Sequence, residues 1–169
     1  MTKEKKNDNS YQAKNAWTEM GKAEREEVFA FNKDYAEFLT KNKTEREFAS
    51  AAISELEAAG FKNITEYDKL KKGDKVYVEN RSRALMAAVI GEKDLKEGLK
   101  IVGSHIDSPR LDLKPNPLYE DGEMAMFKTH YYGGVKKYQW VTMPLALHGV
   151  VVKDDGSQIE VKIGEKEDD

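Results

Sequence analysis

Residues Ile101–Pro109 read IVGSHIDSP, and the reading of the chain starts from them. The run Leu99–Gly103 is short and mostly apolar, the pattern of a β-strand covered on both faces. His105 and Asp107 follow two residues apart, and an extended strand places residues i and i+2 on one face. In open α/β sheets ligands gather beyond the C-terminal ends of the strands. A histidine there can offer one ring nitrogen to a metal, and a nearby carboxylate can fix the tautomer and orientation of that ring. The spacing leaves open whether Asp107 meets His105 itself or another group. A bare His-x-Asp triplet is more often a turn or a satisfied polar pair than a metal site. The context favours the metal: Gly103 and Ser104 leave room at the strand end, and Ser108-Pro109 turns the chain away.

Upstream of this segment the pattern is helical. Trp17, Met20, Val28, Phe31, Tyr35, Phe38 and Leu39 recur at three-to-four spacing, which predicts a core-facing amphipathic helix over Trp17–Leu39. Thr44-Glu45-Arg46-Glu47 is a capping box that opens a second helix. Its buried stripe is Phe48, Ala52, Ile53, Leu56 and Ala59, and Gly60 supplies a left-handed stop. Strands are expected at Lys75–Glu79, at Ala84–Ile90 (apolar enough to be covered on both faces) and at Leu99–Gly103. Two helices followed by strands of this kind predict an α/β layer architecture.

Downstream the character changes. Pro115 and Pro117 bracket an expected loop, and Asp121-Gly122 signals a turn. Met124–Tyr132, Val141–Val152 and Gln158–Ile163 read as strands with no helix between them, the last two joined at Asp155-Gly156. A domain boundary is therefore expected near Leu111. His130 and His148 read first as structural histidines, and Gly133-Gly134 as a bend or bulge.

Composition narrows the partners. With 28 basic and 31 acidic residues the net charge is -3, which argues against nucleic acid as a partner. No run approaches the roughly 18 apolar residues of a membrane span. The N-terminal MTKEKKNDNS has no apolar core, so it does not read as a secretory signal. Glu4, Asp8 and the lack of arginine there argue against a transit peptide. The absence of cysteine makes a cytoplasmic location the default and restricts any metal to His, Asp or Glu ligands. No phosphate loop, Gly-x-Ser-x-Gly elbow or cysteine nucleophile is present.

The longer segment Ile101–Gly134, IVGSHIDSPRLDLKPNPLYEDGEMAMFKTHYYGG, resembles the first metal-ligand region of the aspartyl and vacuolar aminopeptidases, a family of dinuclear zinc peptidases. The likeness rests on His105–Pro109, on Lys114-Pro115 and on Tyr132-Gly133-Gly134, in that order. Phe38–Glu47 and Asn80-Arg81 add to it, and it runs over roughly Trp17–Lys153. It implies the N-terminal part of a zinc-exopeptidase-like α/β/α sandwich, interrupted by an inserted β-rich dimerisation domain. The implied division is a flexible tail over 1–16, the catalytic domain over 17–110, and part of the insertion over 111–169.

By position His105 matches a zinc ligand and Asp107 the catalytic aspartate that supports the site. His130, in the inserted domain, would contact substrate or a neighbouring subunit. The implied cofactor is two zinc ions per complete site, with cobalt or manganese as alternatives. The implied assembly is a dimer-based homo-oligomer, up to a dodecamer, acting on peptides. The implied mechanism is attack of a zinc-activated water, deprotonated by a glutamate, on the first peptide carbonyl.

The sequence departs from the family pattern in places. Ile106 stands where threonine is usual, and Val135–Leu147 lacks a tryptophan-phenylalanine-aspartate-arginine stretch, which resembles a bacterial subgroup. The bridging aspartate, the glutamate pair, a further carboxylate and the last histidine have no counterparts here. Glu165, Glu167, Asp168 and Asp169 lie in a charged tail and do not read as ligands. A catalytic zinc needs about three protein ligands, so the chain alone is expected to be inactive, with half-built sheets that self-associate. Two alternatives stand beside the aminopeptidase: a non-catalytic assembly or regulatory fragment that keeps the β-rich interface, and a deacylase or carboxypeptidase on the same scaffold.

Overall fold

Glycine and proline punctuate this chain, and they decide where the expected elements stop. The computed structural model describes residues 13–166; residues 1–12 of the tail expected over 1–16 and the acids Glu167, Asp168 and Asp169 fall outside the described residues. Two compact units divide between Thr40 and Lys41.

In the first unit the helix expected over Trp17–Leu39 comes in two pieces, α1 (Ala16–Glu19) and α2 (Lys22–Lys41). Asn15 caps α1 by accepting from the Trp17 N–H at 3.0 Å, and Met20 turns extended before Gly21. The aromatic stripe corrects the expectation of a core-facing helix. Phe31 is 73% and Tyr35 49% exposed, because no element of this unit covers them. The rings pack on one another instead, Phe31 with Tyr35 at 6.4 Å and Trp17 with Phe29 at 5.8 Å.

The second unit begins with α3 (Glu45–Ala58), and the capping box forms as expected: the Thr44 hydroxyl accepts from the Glu47 N–H and Glu47 accepts from the Thr44 N–H. At the other end Gly60 takes φ +85, with Phe61 N–H donating to Leu56 and Gly60 N–H to Glu57, a Schellman close. The helix packs on β2 (Lys75–Asn80) and β3 (Ala84–Val89). With β1 (Lys62–Asn63) these form a sheet of order β1-β2-β3, β1 parallel to β2 and β3 antiparallel to it. Among the described residues the buried apolar ones are Ala49 on α3 and Val76 and Tyr77 on β2. Of the stripe predicted for α3, Phe48, Ala52, Ile53 and Leu56 are half-buried and Ala59 is exposed; the deepest residue of the helix, Ala49, was not among them.

Two apolar segments depart from the strand reading. β3 was expected to be covered on both faces, yet Met86 is 70% and Val89 60% exposed. Leu99–Gly103 is not a strand at all: residues 98–109 lack regular structure and Val102 is 99% exposed. A strand of this kind needs ladder partners for its N–H and C=O groups, and among the described residues none pairs with it.

Beyond the loop, β4 (Arg110–Asp121) and β5 (Met124–Tyr132) form an antiparallel ribbon. The loop expected around Pro115 and Pro117 lies inside β4. Its register slips between Leu113 and Leu118, where prolines that cannot donate are tolerated. Gly122 (φ +60) and Glu123 (φ +63) make the turn announced by Asp121-Gly122.

A one-turn helix, α4 (Lys137–Trp140), interrupts what was read as strand without helix. The strand expected from Val141 starts only at Leu147, past Pro144. β6 (Leu147–Val152) and β7 (Gln158–Ile163) then pair antiparallel, and Asp155 accepts from the N–H and hydroxyl of Ser157 in the turn between them. The chain is mixed α/β, as expected, with three small sheets among the described residues. Among the described residues no helix is long and apolar enough to cross a membrane.

Candidate metal centre

His105 lies in the irregular 98–109 segment, one side chain 82% exposed and the other end of its ring tied down. Its Nδ1 is 3.0 Å from the backbone carbonyl of Asp107 and 3.1 Å from the Asp107 carboxylate. A carbonyl oxygen only accepts, so Nδ1 carries the proton and donates. In the neutral ring this leaves the lone pair on Nε2, the nitrogen directed to a metal in carboxylate–histidine–zinc arrangements. The question left open by the sequence is answered: Asp107 meets His105 itself.

Asp107 is held in turn. Its own backbone N–H, then the Tyr132 hydroxyl and the His105 ring, keep its carboxyl below the usual range against the opposing effect of burial. The Asp107 carboxylate in turn raises the Tyr132 hydroxyl above its ordinary value. Tyr132 ends β5 directly opposite Arg110, the first residue of β4. The Arg110 guanidinium lies 4.0 Å from the Tyr132 ring centroid. Arg110 also donates from Nε to Asp112 at 2.7 Å and from a terminal nitrogen to Glu45 at 3.0 Å. Next to Tyr132, Gly133 has φ +77, and a Cβ there would stand 3.3 Å from Pro109 Cα. That close approach, which a side chain would crowd, lays the end of β5 against the end of the His105–Pro109 segment.

The remaining predicted residues sit elsewhere. His130 pairs with Asp112 across the ribbon and stacks on Tyr131 at 5.3 Å. His148, read as structural, is half-buried with Nδ1 2.9 Å from Glu47 and Nε2 2.6 Å from Glu165. Glu165 is thus anchored, by His148 and by Lys43, and is not merely a member of a charged tail. Glu47 is the residue whose reach the sequence did not reveal. The capping-box glutamate also accepts from the Lys43 N–H and meets Lys162 at 3.3 Å. Burial pushes its carboxyl up, but the His148 hydrogen bond and the Thr44 backbone bond outweigh it and lower it from 4.5 to about 2. The capping motif names Glu47, but its partner lies 101 residues away.

The donor set fits one corner of a zinc site. His105 offers an outward Nε2 with an oriented ring, but among the described residues no three His, Asp or Glu side chains are grouped to hold a metal.

The family model for the aminopeptidase I zinc metalloproteases (M18) matches residues 38–169. The chain belongs to the M18 aminopeptidase family. A probable M18 family aminopeptidase 1 of Clostridium acetobutylicum is 50% identical over 167 residues, covering 96% of this chain and 36% of the relative. One of Thermotoga maritima is 47% identical, covering 92% of this chain and 34% of the relative. Among solved structures, aminopeptidase I of Borrelia burgdorferi superposes with a TM-score of 0.86 at 39% identity, over 92% of this chain and 39% of that one. The M18 enzyme of Thermotoga maritima gives 0.83 at 46% identity, over 95% of this chain and 35% of that one. The chain therefore spans about a third of the length of the curated M18 relatives it matches.

Proposed function

We propose that this chain is the N-terminal portion of a zinc aminopeptidase that hydrolyses the first peptide bond of peptides. The observation that carries it is the His105–Asp107 pair: Nδ1–H held on Asp107 directs the Nε2 lone pair outward. In this reading His105 is a zinc ligand and Asp107 orients it. Bound zinc supplies a water acidic enough to ionise near neutral pH. The site takes two zinc ions, with cobalt or manganese accepted in their place, and its other ligands come from polypeptide beyond Asp169. Residues 17–110 then belong to the catalytic domain and 111–169 to a β-rich insertion through which the protein forms homo-oligomers. His130 on that insertion faces substrate or a neighbouring subunit, and the protein works in the cytoplasm.

The test is complementation. The chain is co-expressed with the part of the Clostridium acetobutylicum relative that follows its matched region, and release of N-terminal residues from peptides is measured with and without zinc. Zinc-dependent release that His105→Ala abolishes is the expected result. Release unchanged by His105→Ala would overturn the ligand assignment. Tight stoichiometric binding of two zinc ions by the 169-residue chain alone would overturn the claim that its site is incomplete.

A further inference from the structure

We infer that His148 is a pH-operated latch: its imidazolium bridges Glu47 at the start of α3 and Glu165 after β7, and loss of its proton releases Glu165. The latch uses none of the residues assigned to the metal.

The ring stands between two acceptors. His148 Nδ1 lies 2.9 Å from Glu47 and Nε2 lies 2.6 Å from Glu165. An ionised carboxylate has no proton to give, so each ring nitrogen must donate, and only the imidazolium carries a proton on both. Both carboxyls stay ionised well below neutral pH. Burial pushes Glu47 up, but the His148 and Thr44 bonds lower it to about 2. Hydrogen bonds from Lys43 and His148 hold Glu165 below its ordinary value.

The backbone sets this arrangement. The Lys43 and Thr44 N–H groups occupy Oε2 of Glu47, which leaves Oε1 to face His148. Gly164, at φ +88, runs so close to Ala146 that a Cβ would stand 3.4 Å from its Cα. That approach seats the next residue, Glu165, beside the start of β6. Among the described residues the charged groups around the ring come from four places. Glu47 comes from α3 and Lys43 from the segment before it; Lys162 comes from β7, with Glu160 behind it, and Glu165 from the segment after β7. Each carboxylate oxygen that meets the ring also meets a lysine, Lys162 at Glu47 and Lys43 at Glu165.

A neutral ring keeps one proton and therefore one of the two bonds. Its other nitrogen then turns a lone pair toward a carboxylate, and that contact opens. Glu47 is the partner kept. Its side chain is 10% exposed against 37% for Glu165, so water can replace the ring at Glu165 and much less so at Glu47. Leaving a buried charged acceptor without its donor is the costlier outcome. The Glu165 contact is thus present while the ring is charged and is lost as pH rises through the range in which histidines give up their proton, about pH 5 to 8.

The test is nitrogen NMR of the full 169-residue chain with labelled histidine, read together with hydrogen exchange of the amides of Ile163–Lys166. The chain holds three histidines, and His148→Gln assigns the resonance. The pH is raised until the His148 nitrogens pass from the imidazolium pattern to the neutral one. The neutral ring is expected as Nδ1–H, its proton kept on Glu47. While the ring is charged, Ile163–Lys166 should be about tenfold better protected in the wild type than in His148→Gln, and the ratio should approach one once the ring is neutral. Glu165→Gln changes an exposed acceptor and keeps the test open should His148→Gln unfold. It should remove the pH-dependent part of that protection and leave the Val150–Val152 ladder amides unchanged. A protection ratio that stays constant through the titration overturns the latch, as does a ring that never becomes an imidazolium while the chain is folded. A neutral ring found as Nε2–H, with Ile163–Lys166 still protected, overturns the release of Glu165.

Discussion

Replacing Glu47 by glutamine isolates one charge in the second unit. Glutamine at this position of a capping box can still accept from the Lys43 and Thr44 N–H groups, so the helix start survives. What is lost is the charge facing His148 at 2.9 Å and Lys162 at 3.3 Å. The folded carboxyl titrates near 2 against an ordinary 4.5. That gap corresponds to about 3 kcal/mol at about 1.4 kcal/mol per pH unit, and solvent screening lowers it to about 1–2 kcal/mol. The folded pKa is depressed, so the stabilisation is present above 4.5 and is lost as pH falls through about 2. Hydrogen exchange reads this locally, as the ratio of protection in variant and wild type at each pH. Amides of α3 and of the β6–β7 hairpin are expected to lose about five- to thirty-fold protection in Glu47→Gln at pH 6–7. The ratio should approach one as pH falls from 4.5 toward 2. A ratio that stays constant over that range would refute the assignment of the effect to the Glu47 charge.

Gly133→Ala is expected to cost about 1–3 kcal/mol, because the residue combines φ +77 with a Pro109 contact at 3.3 Å. Thermal or denaturant unfolding checks it, with Gly134→Ala, which meets no atom within 4 Å, as the comparison. His105→Ala is expected to leave secondary structure by circular dichroism unchanged, since its side chain is 82% exposed. The same variant should abolish whatever divalent-ion binding the chain shows in a titration. Self-association should rise with concentration in sedimentation experiments and fall in Met86→Lys, because β3 is a sheet edge whose Met86 is 70% exposed. A monodisperse wild-type monomer at high concentration would contradict that reading.

Local signals in this sequence were legible because their physics is local. The Thr44 capping box, the Gly60 stop, the Gly122 turn and the Asp155-Gly156 hairpin each depend on a few neighbouring residues, and all formed. Apolar periodicity was less reliable. The Trp17–Leu39 stripe and Leu99–Gly103 report that residues suit a covered environment, yet Trp17, Phe31, Tyr35, Leu39 and Val102 are exposed. Pro144 shortened one strand, whereas Pro115 and Pro117 were absorbed into another because a bulge releases the ladder there.

The sequence by itself determined the family and the α/β class, because motif order and residue chemistry are written along the chain. Tertiary structure alone decided which distant groups meet. The Arg110 guanidinium over the Tyr132 ring, the Arg110–Glu45 pair and the Glu47–His148 pair all join groups set by strand register and close approach. Such contacts depend on which backbones lie a few ångströms apart, and the spacing of residues along a chain does not carry that information.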